Sequence, residues 1–320
     1  MADGHPGRAL IRYPVRLDLK TGFSCNNRCT FCVQGDRRAR QPDRDTAEIL
    51  ALLDASRAGH DEVVLTGGEC TLRPDILVLV RHAASLRYRV QVQSNGRRFS
   101  DPGFCDAIVE AGATEFSPAL HGSTAHIHES QTRAPGSFKQ VLKGIRNLRS
   151  RGQAVITNSV VTRQNLEDLP GLGALLVALD VQQYQLAMVH PLGTALLDFH
   201  RVVPRLAEAA PWVRAGLQPG IKGGIRVMAE AVPPCLMRGY EAQVAERYIP
   251  ATRIEDVGRV VPDYTRARVG EGKAKGPPCV ACTWNTHCEG PWREYPQAHG
   301  WDDLVPRADT PPTTGLLLRH

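Results

Sequence analysis

The sequence predicts an α/β chain built as a partial (β/α)6 TIM-like barrel, followed by a small C-terminal domain. Three observations carry that prediction. Short β-rich runs alternate with amphipathic stretches of helical length, the pattern of parallel strands joined by crossover helices. Six such units follow one another at roughly 30-residue spacing, which suits an open barrel better than a flat sheet. The polar, glycine-containing segments fall at the ends of the strand runs, where barrels of this kind keep their chemistry.

The strand runs are residues 16–22, 61–68, 89–96, 113–122, 153–162 and 181–191. The helical stretches between and after them are 46–57, 75–86, 102–111, 138–151, 166–179 and 203–215. Residues 225–233 read as one more strand, beyond which the alternation stops. The expected organisation is an N-terminal extension (1–15), a barrel core (16–222), a cysteine-bearing domain (223–300) and a loose Pro- and Thr-rich tail (301–320).

Composition narrows the class. Of 320 residues, 42% are hydrophobic and 22% charged, close to a soluble globular average, which excludes a disordered chain, a collagen and a coiled coil. No apolar run reaches the ~18 residues of a membrane span. The first ten residues hold no apolar signal core, so a cytoplasmic location is expected. The net charge of +6 is too diffuse to argue for a nucleic-acid partner.

Nine cysteines say more. A chain of this length builds its own core and needs no disulfide framework. Six of them sit in two tight groups, which points to metal or redox chemistry.

The first group is Cys25-Asn26-Asn27-Arg28-Cys29-Thr30-Phe31-Cys32, directly after the first strand run. Three thiolates from one loop can hold three irons of a 4Fe–4S cube and leave the fourth open, whereas fully protein-bound cubes use four cysteines. The alternative is a zinc loop with a distant fourth ligand.

This CxxxCxφC loop, with Phe31 before its last cysteine, resembles the hallmark of the radical S-adenosylmethionine (radical SAM) superfamily. The context agrees. Gly67-Gly68-Glu69 follows the second strand run, as a GGE element of that superfamily does, and Ser94-Asn95-Gly96 resembles its third-strand TNG element. The resemblance implies a SAM-binding 4Fe–4S cluster on Cys25, Cys29 and Cys32. It implies reductive cleavage of SAM to a 5′-deoxyadenosyl radical that abstracts hydrogen from a substrate. It places Phe31, Gly67, Gly68, Glu69, Ser94 and Asn95 around the cofactor, with the Glu69 carboxylate facing the methionine ammonium. On strand four the ribose-contacting Ser is replaced by Ala119, and Ser117, on the same strand face, is its substitute. On strand five the resemblance carries over Ser159 and Arg163.

The second group is Cys279, Cys282 and Cys288, a CxxCx₅C spacing, with Cys235 upstream. Four thiolates close either a 4Fe–4S cube or a tetrahedral zinc. The spacing is similar to part of the SPASM consensus, whose next position is here Trp292. That resemblance implies one auxiliary 4Fe–4S cluster, as in the shorter Twitch form, with Cys235 as fourth ligand or with an open iron for substrate.

The implied activity is that of a radical SAM oxidoreductase or maturase acting in ribosomal peptide maturation, with a flavodoxin or ferredoxin electron donor and a peptide or small-molecule substrate. A molybdenum-cofactor-like cyclase, another radical dehydrogenase of a small intermediate, an RNA-modifying radical SAM enzyme and a non-enzymatic metal-binding protein are the alternatives. His121 and His190, at strand ends, read either as proton donors or as structural histidines; Cys70 and Cys105 read as packing. Arg37-Arg38 and Arg97-Arg98 read as solvated.

Overall fold

The computed structural model describes residues 15–311; the expected extension up to residue 14 and the last nine residues of the expected tail lie outside them. One nine-stranded sheet runs through the molecule in the order β7-β6-β5-β4-β3-β2-β1-β8-β9. Its strands are β1 (Arg16–Lys20), β2 (Glu62–Thr66), β3 (Arg89–Ser94), β4 (Glu115–Pro118), β5 (Ala154–Val161), β6 (Gln183–Met188), β7 (Arg226–Glu230), β8 (Thr252–Asp256) and β9 (Arg259–Val261). Every pairing is parallel except β8 with β9. Strands β1 to β7 lie in chain order, each connected to the next through helical crossovers, and the sheet does not close. This is the expected partial barrel.

Strand alternation separates two faces. Leu17 and Leu19 of β1, Val63 and Leu65 of β2, Val90 and Val92 of β3, and Phe116 of β4 are fully buried under the helices. The opposite parity faces the concave side and carries polar residues among apolar ones: Asp18 and Lys20, Thr66, Gln91 and Gln93, Ser117, Asn158, Gln185 and Glu230. The helix Ser137–Ser150 shows how the outer layer is held. Val141, Ile145 and Leu148 form one buried stripe, each contributing roughly 1.5–3 kcal/mol. Gly144 in the same helix lies so close to β3 that a Cβ there would stand 2.7 Å from the Gly96 carbonyl.

Four elements in particular depart from the sequence pattern. The helix expected at 203–215 runs Leu206–Lys222 and contains Pro211 and Pro219. The Tyr184 hydroxyl makes the passage beyond Pro219 possible: it accepts from the Gly220 N–H (3.0 Å) and donates to the Gly216 carbonyl (2.8 Å). The helix Ala125–Thr132 was not anticipated, because its buried residues are His128, Gln131 and Thr132 instead of an apolar stripe. Strands β8 and β9 were missed because Thr-Arg-Ile-Glu-Asp carries three charges in five residues.

The tail expected to be loose is ordered at least to residue 311. Asp303, Leu304 and Arg307 are buried. Asp303 accepts from the Arg205 guanidinium at 2.9 and 3.1 Å and from the Leu206 N–H at 3.1 Å, so specific polar anchors override a loop-like composition. No described helix is long and apolar enough to cross a membrane.

Candidate active site

The first cysteine loop leaves β1 and is gripped from several sides. Below it, Gly67 (φ +137°) and Gly68 press backbone to backbone on Gly22, Phe23 and Ser24. The Gly68 N–H bonds the Gly22 carbonyl (2.8 Å) and the Glu69 N–H bonds the Ser24 carbonyl (2.7 Å). A Cβ on Gly68 would stand 2.4 Å from the Phe23 and Ser24 oxygens. These glycines are required by the approach of one loop to another. Asp43, which the sequence did not single out, accepts from the Phe23 and Ser24 N–H groups at 2.6 and 2.9 Å. Burial opposes its ionisation, but these bonds and the nearby Arg73 hold its carboxyl below the usual range.

From the side, the unanticipated helix supplies its last carbonyls. Arg28 N–H bonds the Thr132 oxygen (2.9 Å) and Thr30 N–H the Gln131 oxygen (2.8 Å), which satisfies acceptors that a helix end leaves open. From the far end of β6, Thr194 donates through Oγ1 to the Cys29 and Cys32 carbonyls (both 3.2 Å) and through its N–H to Cys32 (3.0 Å). The β3 loop completes the ring: Asn95 Nδ2 donates to Asn26 Oδ1 (2.6 Å), and Arg97 Nη1 donates to the Asn26 carbonyl (2.6 Å) and Asn27 Oδ1 (3.0 Å). Cys25, Cys29 and Cys32 themselves remain part-exposed.

Several expected cofactor contacts are turned to this framework. Glu69 is 2% exposed, and its carboxylate accepts from Thr71 N–H (3.1 Å), Thr71 Oγ1 (2.6 Å), Ser94 Oγ (2.7 Å) and Asn95 N–H (2.5 Å). Burial raises its pKa while these four bonds favour the charged form. Glu69 thus ties the β2 and β3 loops together. Ser94 is spent on Glu69 and on the Gly96 N–H (2.9 Å). Ser159 shares the helix-side face of Val155, the wrong parity for the concave side, and bonds the Leu120 carbonyl (2.5 Å). Arg163 pairs with Glu208 (3.0 Å) and bonds the His200 carbonyl (3.2 Å). Ser117 faces the concave side beside Gln93.

Phe31 is buried edge-on against His121 (4.7 Å). His121 accepts from the Val160 N–H (3.2 Å), and His128 from the His121 N–H (3.1 Å). Burial pushes His121 well below the ordinary imidazole pKa and His128 down to about 4, so both are neutral pins. Three of the arginines expected to be solvated, Arg37, Arg97 and Arg98, are structural, while the Arg38 side chain lies outside the described residues. Arg97 stitches the cysteine loop as described, Arg98 lies over the Phe104 ring (4.0 Å), and Arg37 lies over Phe23 (4.4 Å) and pairs with Asp256 (2.7 Å).

The second group gathers from three chain segments. Cys235 follows β7 in the turn Pro234–Leu236, Cys279 sits in the turn Pro277–Val280, and Cys288 follows the turn Asn285–His287. Cys235, Cys279, Cys282 and Cys288 line one pocket, walled by Pro233, Trp284, Leu304 and Val305 among others. Burial pushes Cys235 up to about 11, with Cys282 and Cys279 adding like-charge repulsion, and pushes Cys288 up to about 12. Backbone N–H groups meet the sulfurs: Gly290 to Cys288 (3.2 Å), Arg307 to Cys282 (3.3 Å), and Val305 to Cys235. Among the described residues, no three cysteine, histidine or acidic side chains converge tightly enough for one metal ion. Four thiols as a donor set suit either a 4Fe–4S cube or a tetrahedral zinc.

Beside the second group lies a buried charge network that sequence reading missed. Arg268 and Glu289 form a two-point pair (both 2.7 Å). Lys273 pairs with Glu246 (3.2 Å) and lies over Trp292 (3.9 Å), which stacks on His190 (3.8 Å). Glu230, last on β7, accepts from Gln185 (2.6 Å). Burial, with Glu246 adding repulsion, pushes it up to about 6.

Comparison with known proteins agrees with this arrangement. Residues 19–176 match the family model described as the radical SAM superfamily. The chain is 29% identical over 197 residues to the AdoMet-dependent heme synthase of Oleidesulfovibrio alaskensis, covering 61% of this chain and 49% of that protein. It is 28% identical over 164 residues to the mycofactocin maturase MftC of Mycobacterium ulcerans, covering 51% and 44%. The chain thus spans about half the length of the curated relatives it matches. In fold it resembles Streptococcus suis SuiB bound to S-adenosylmethionine, with a TM-score of 0.66 at 14% identity over 92% of this chain and 77% of the other. The cysteine loop, its glycine support and the open parallel sheet all fall within or beside the matched span: the chain carries a radical SAM superfamily domain, in a family that uses a 4Fe–4S cluster and S-adenosylmethionine.

Proposed function

We propose that the chain is a radical SAM enzyme of ribosomal peptide maturation. The observation that carries the chemistry is the part-exposed loop of Cys25, Cys29 and Cys32, whose backbone is held by bonds from the surrounding segments. With the cluster and SAM bound, the site would supply reductive cleavage of SAM to a 5′-deoxyadenosyl radical able to take hydrogen from a substrate. The chain's own residues prepare that site. The three thiolates hold the cluster. Gly67 and Gly68 bring backbone beside the loop, and Glu69, Ser94 and Asn95 fix the two adjoining loops. Lys20, Gln93, Ser117, Gln185 and Glu230 give the concave face the polar character that a peptide backbone requires. Cys235, Cys279, Cys282 and Cys288 hold a second, auxiliary cluster in the SPASM/Twitch manner. Flavodoxin or ferredoxin supplies the electron.

The peptide reading is supported by relatives named mycofactocin maturase and PqqA peptide cyclase, and by the fold of SuiB, seen also with its precursor peptide SuiA. A second reading, oxidation of a small biosynthetic intermediate, is favoured by the heme synthase relatives. The test is anaerobic: reconstituted protein, SAM and dithionite, with precursor peptides and small intermediates screened by mass spectrometry. 5′-Deoxyadenosine together with a peptide losing hydrogen is the expected result. Conversion of a small intermediate alone would establish the second reading, and loaded clusters without 5′-deoxyadenosine would refute the chemistry.

A further inference from the structure

The C-terminal stretch 303–309 runs along the pocket of the second cysteine group. Leu304, Val305 and Pro306 form one wall of it. Two N–H groups of the stretch point at sulfur, Val305 to Cys235 and Arg307 to Cys282 (3.3 Å). The stretch also runs alongside Thr283, whose N–H bonds the Arg307 carbonyl (2.9 Å) and whose Oγ1 bonds the Asp309 carbonyl (2.6 Å).

Both ends are anchored to other parts of the fold. Asp303 is held by Arg205 and Tyr295. Arg307 is 5% exposed; its guanidinium bonds the Pro234 carbonyl (3.1 Å) and Glu241 (2.7 Å) and lies over Trp284 (3.9 Å). Trp284 in turn donates to the Asp309 carbonyl (3.0 Å). Burying an arginine is costly unless it is paired, and this one is paired on two sides with Glu241 and Asp309. A stretch held this firmly, with its amides aimed at thiolates, is built around the centre.

We propose that residues 303–309 are a cap on the second cysteine centre, which sets its reduction potential through N–H···S bonds and shuts out solvent and substrate. The proposal rests on the reading of that centre as an iron–sulfur cluster. Hydrogen bonds to cluster sulfurs favour the more negative, reduced state, and exclusion of solvent adds to the tuning. A capped, four-thiolate centre exchanges electrons with its surroundings and leaves substrate binding to the concave face of the barrel.

The test uses the full-length reconstituted protein and three variants: Arg307→Ala, Arg307→Pro, and a chain ending at Asp303. Arg307→Ala loosens the cap but keeps the N–H; Arg307→Pro also removes the N–H. Redox titration followed by EPR should place the second cluster's potential lower in Arg307→Pro than in Arg307→Ala. The truncated chain should lose its second cluster to a ferrous chelator several-fold faster than the full chain, with the first cluster unaffected. Eight irons per chain with equal potentials and equal rates of loss would overturn the cap alone. Four irons per chain in the parent protein would overturn the cluster reading itself.

Discussion

The two cysteine centres solve opposite problems. The first draws three thiols from one eight-residue loop and spends its surroundings on holding backbone. The second draws four thiols from three segments, with Cys235 and Cys288 buried enough to resist ionisation in the absence of metal. Its surroundings aim N–H groups at sulfur. A centre that binds and cleaves a ligand needs open coordination on a rigid support. A centre that only stores an electron gains from closure and from hydrogen bonds that tune it.

The largest expected effect separates the two outright. Replacing Cys25, Cys29 and Cys32 by Ala should abolish SAM cleavage and leave about half the iron. Replacing Cys279 and Cys282 should remove the other half and preserve reductive SAM cleavage without substrate. Iron analysis with 5′-deoxyadenosine assays reads both. Loss of SAM cleavage in the second pair would erase the division of labour.

A smaller effect sharpens the account of the first centre. Glu69→Ala strands the Asn95 and Thr71 N–H groups in a buried place, at ~1–3 kcal/mol for each lost partner. Stability in urea should fall by about 2–4 kcal/mol, and SAM affinity should fall with it. A variant of unchanged stability with weakened SAM binding would instead point to a direct contact with the cofactor.

The smallest effect concerns the buried charge network beside the second centre. Glu230 has a folded pKa near 6 against an ordinary 4.5, so its protonated form is the better accommodated one. Its stabilising contribution is full below pH 4.5 and lost as pH rises through about 6. Glu230→Gln should therefore match the parent at pH 4 and exceed it by ~1–2 kcal/mol at pH 8. Urea midpoints at the two pH values decide it. An unchanged difference would mean that the carboxylate is solvated.

Much of the first centre was legible because it is local. CxxxCxxC occupies eight residues, and GGE and SNG sit at ends of strands that periodicity reveals. What those residues do was less legible. Glu69, Ser94 and Asn95 were expected at the cofactor, yet their side chains hold one another and Asn26. Arg97 was taken for a surface charge because nothing in its neighbours along the chain announces Asn26 and Asn27, seventy residues away. Helix Ala125–Thr132, whose carbonyls steady the loop, buries polar side chains and so carries no apolar signature.

The sequence by itself determined the parallel α/β order, the three-thiol loop and its glycine support, because periodicity and spacing are properties of neighbouring residues. Tertiary structure alone decided that Cys235 joins Cys279, Cys282 and Cys288, since 44 residues separate it from the nearest of them. It alone decided that a Pro-rich end would pack over that centre. There, burial of Leu304 and Arg307 and bonds to Arg205, Glu241 and Thr283 outweigh a composition that favours a free chain. Local pattern records which backbone shapes a segment prefers; which distant group satisfies its polar atoms is settled only when the sheet brings the two together.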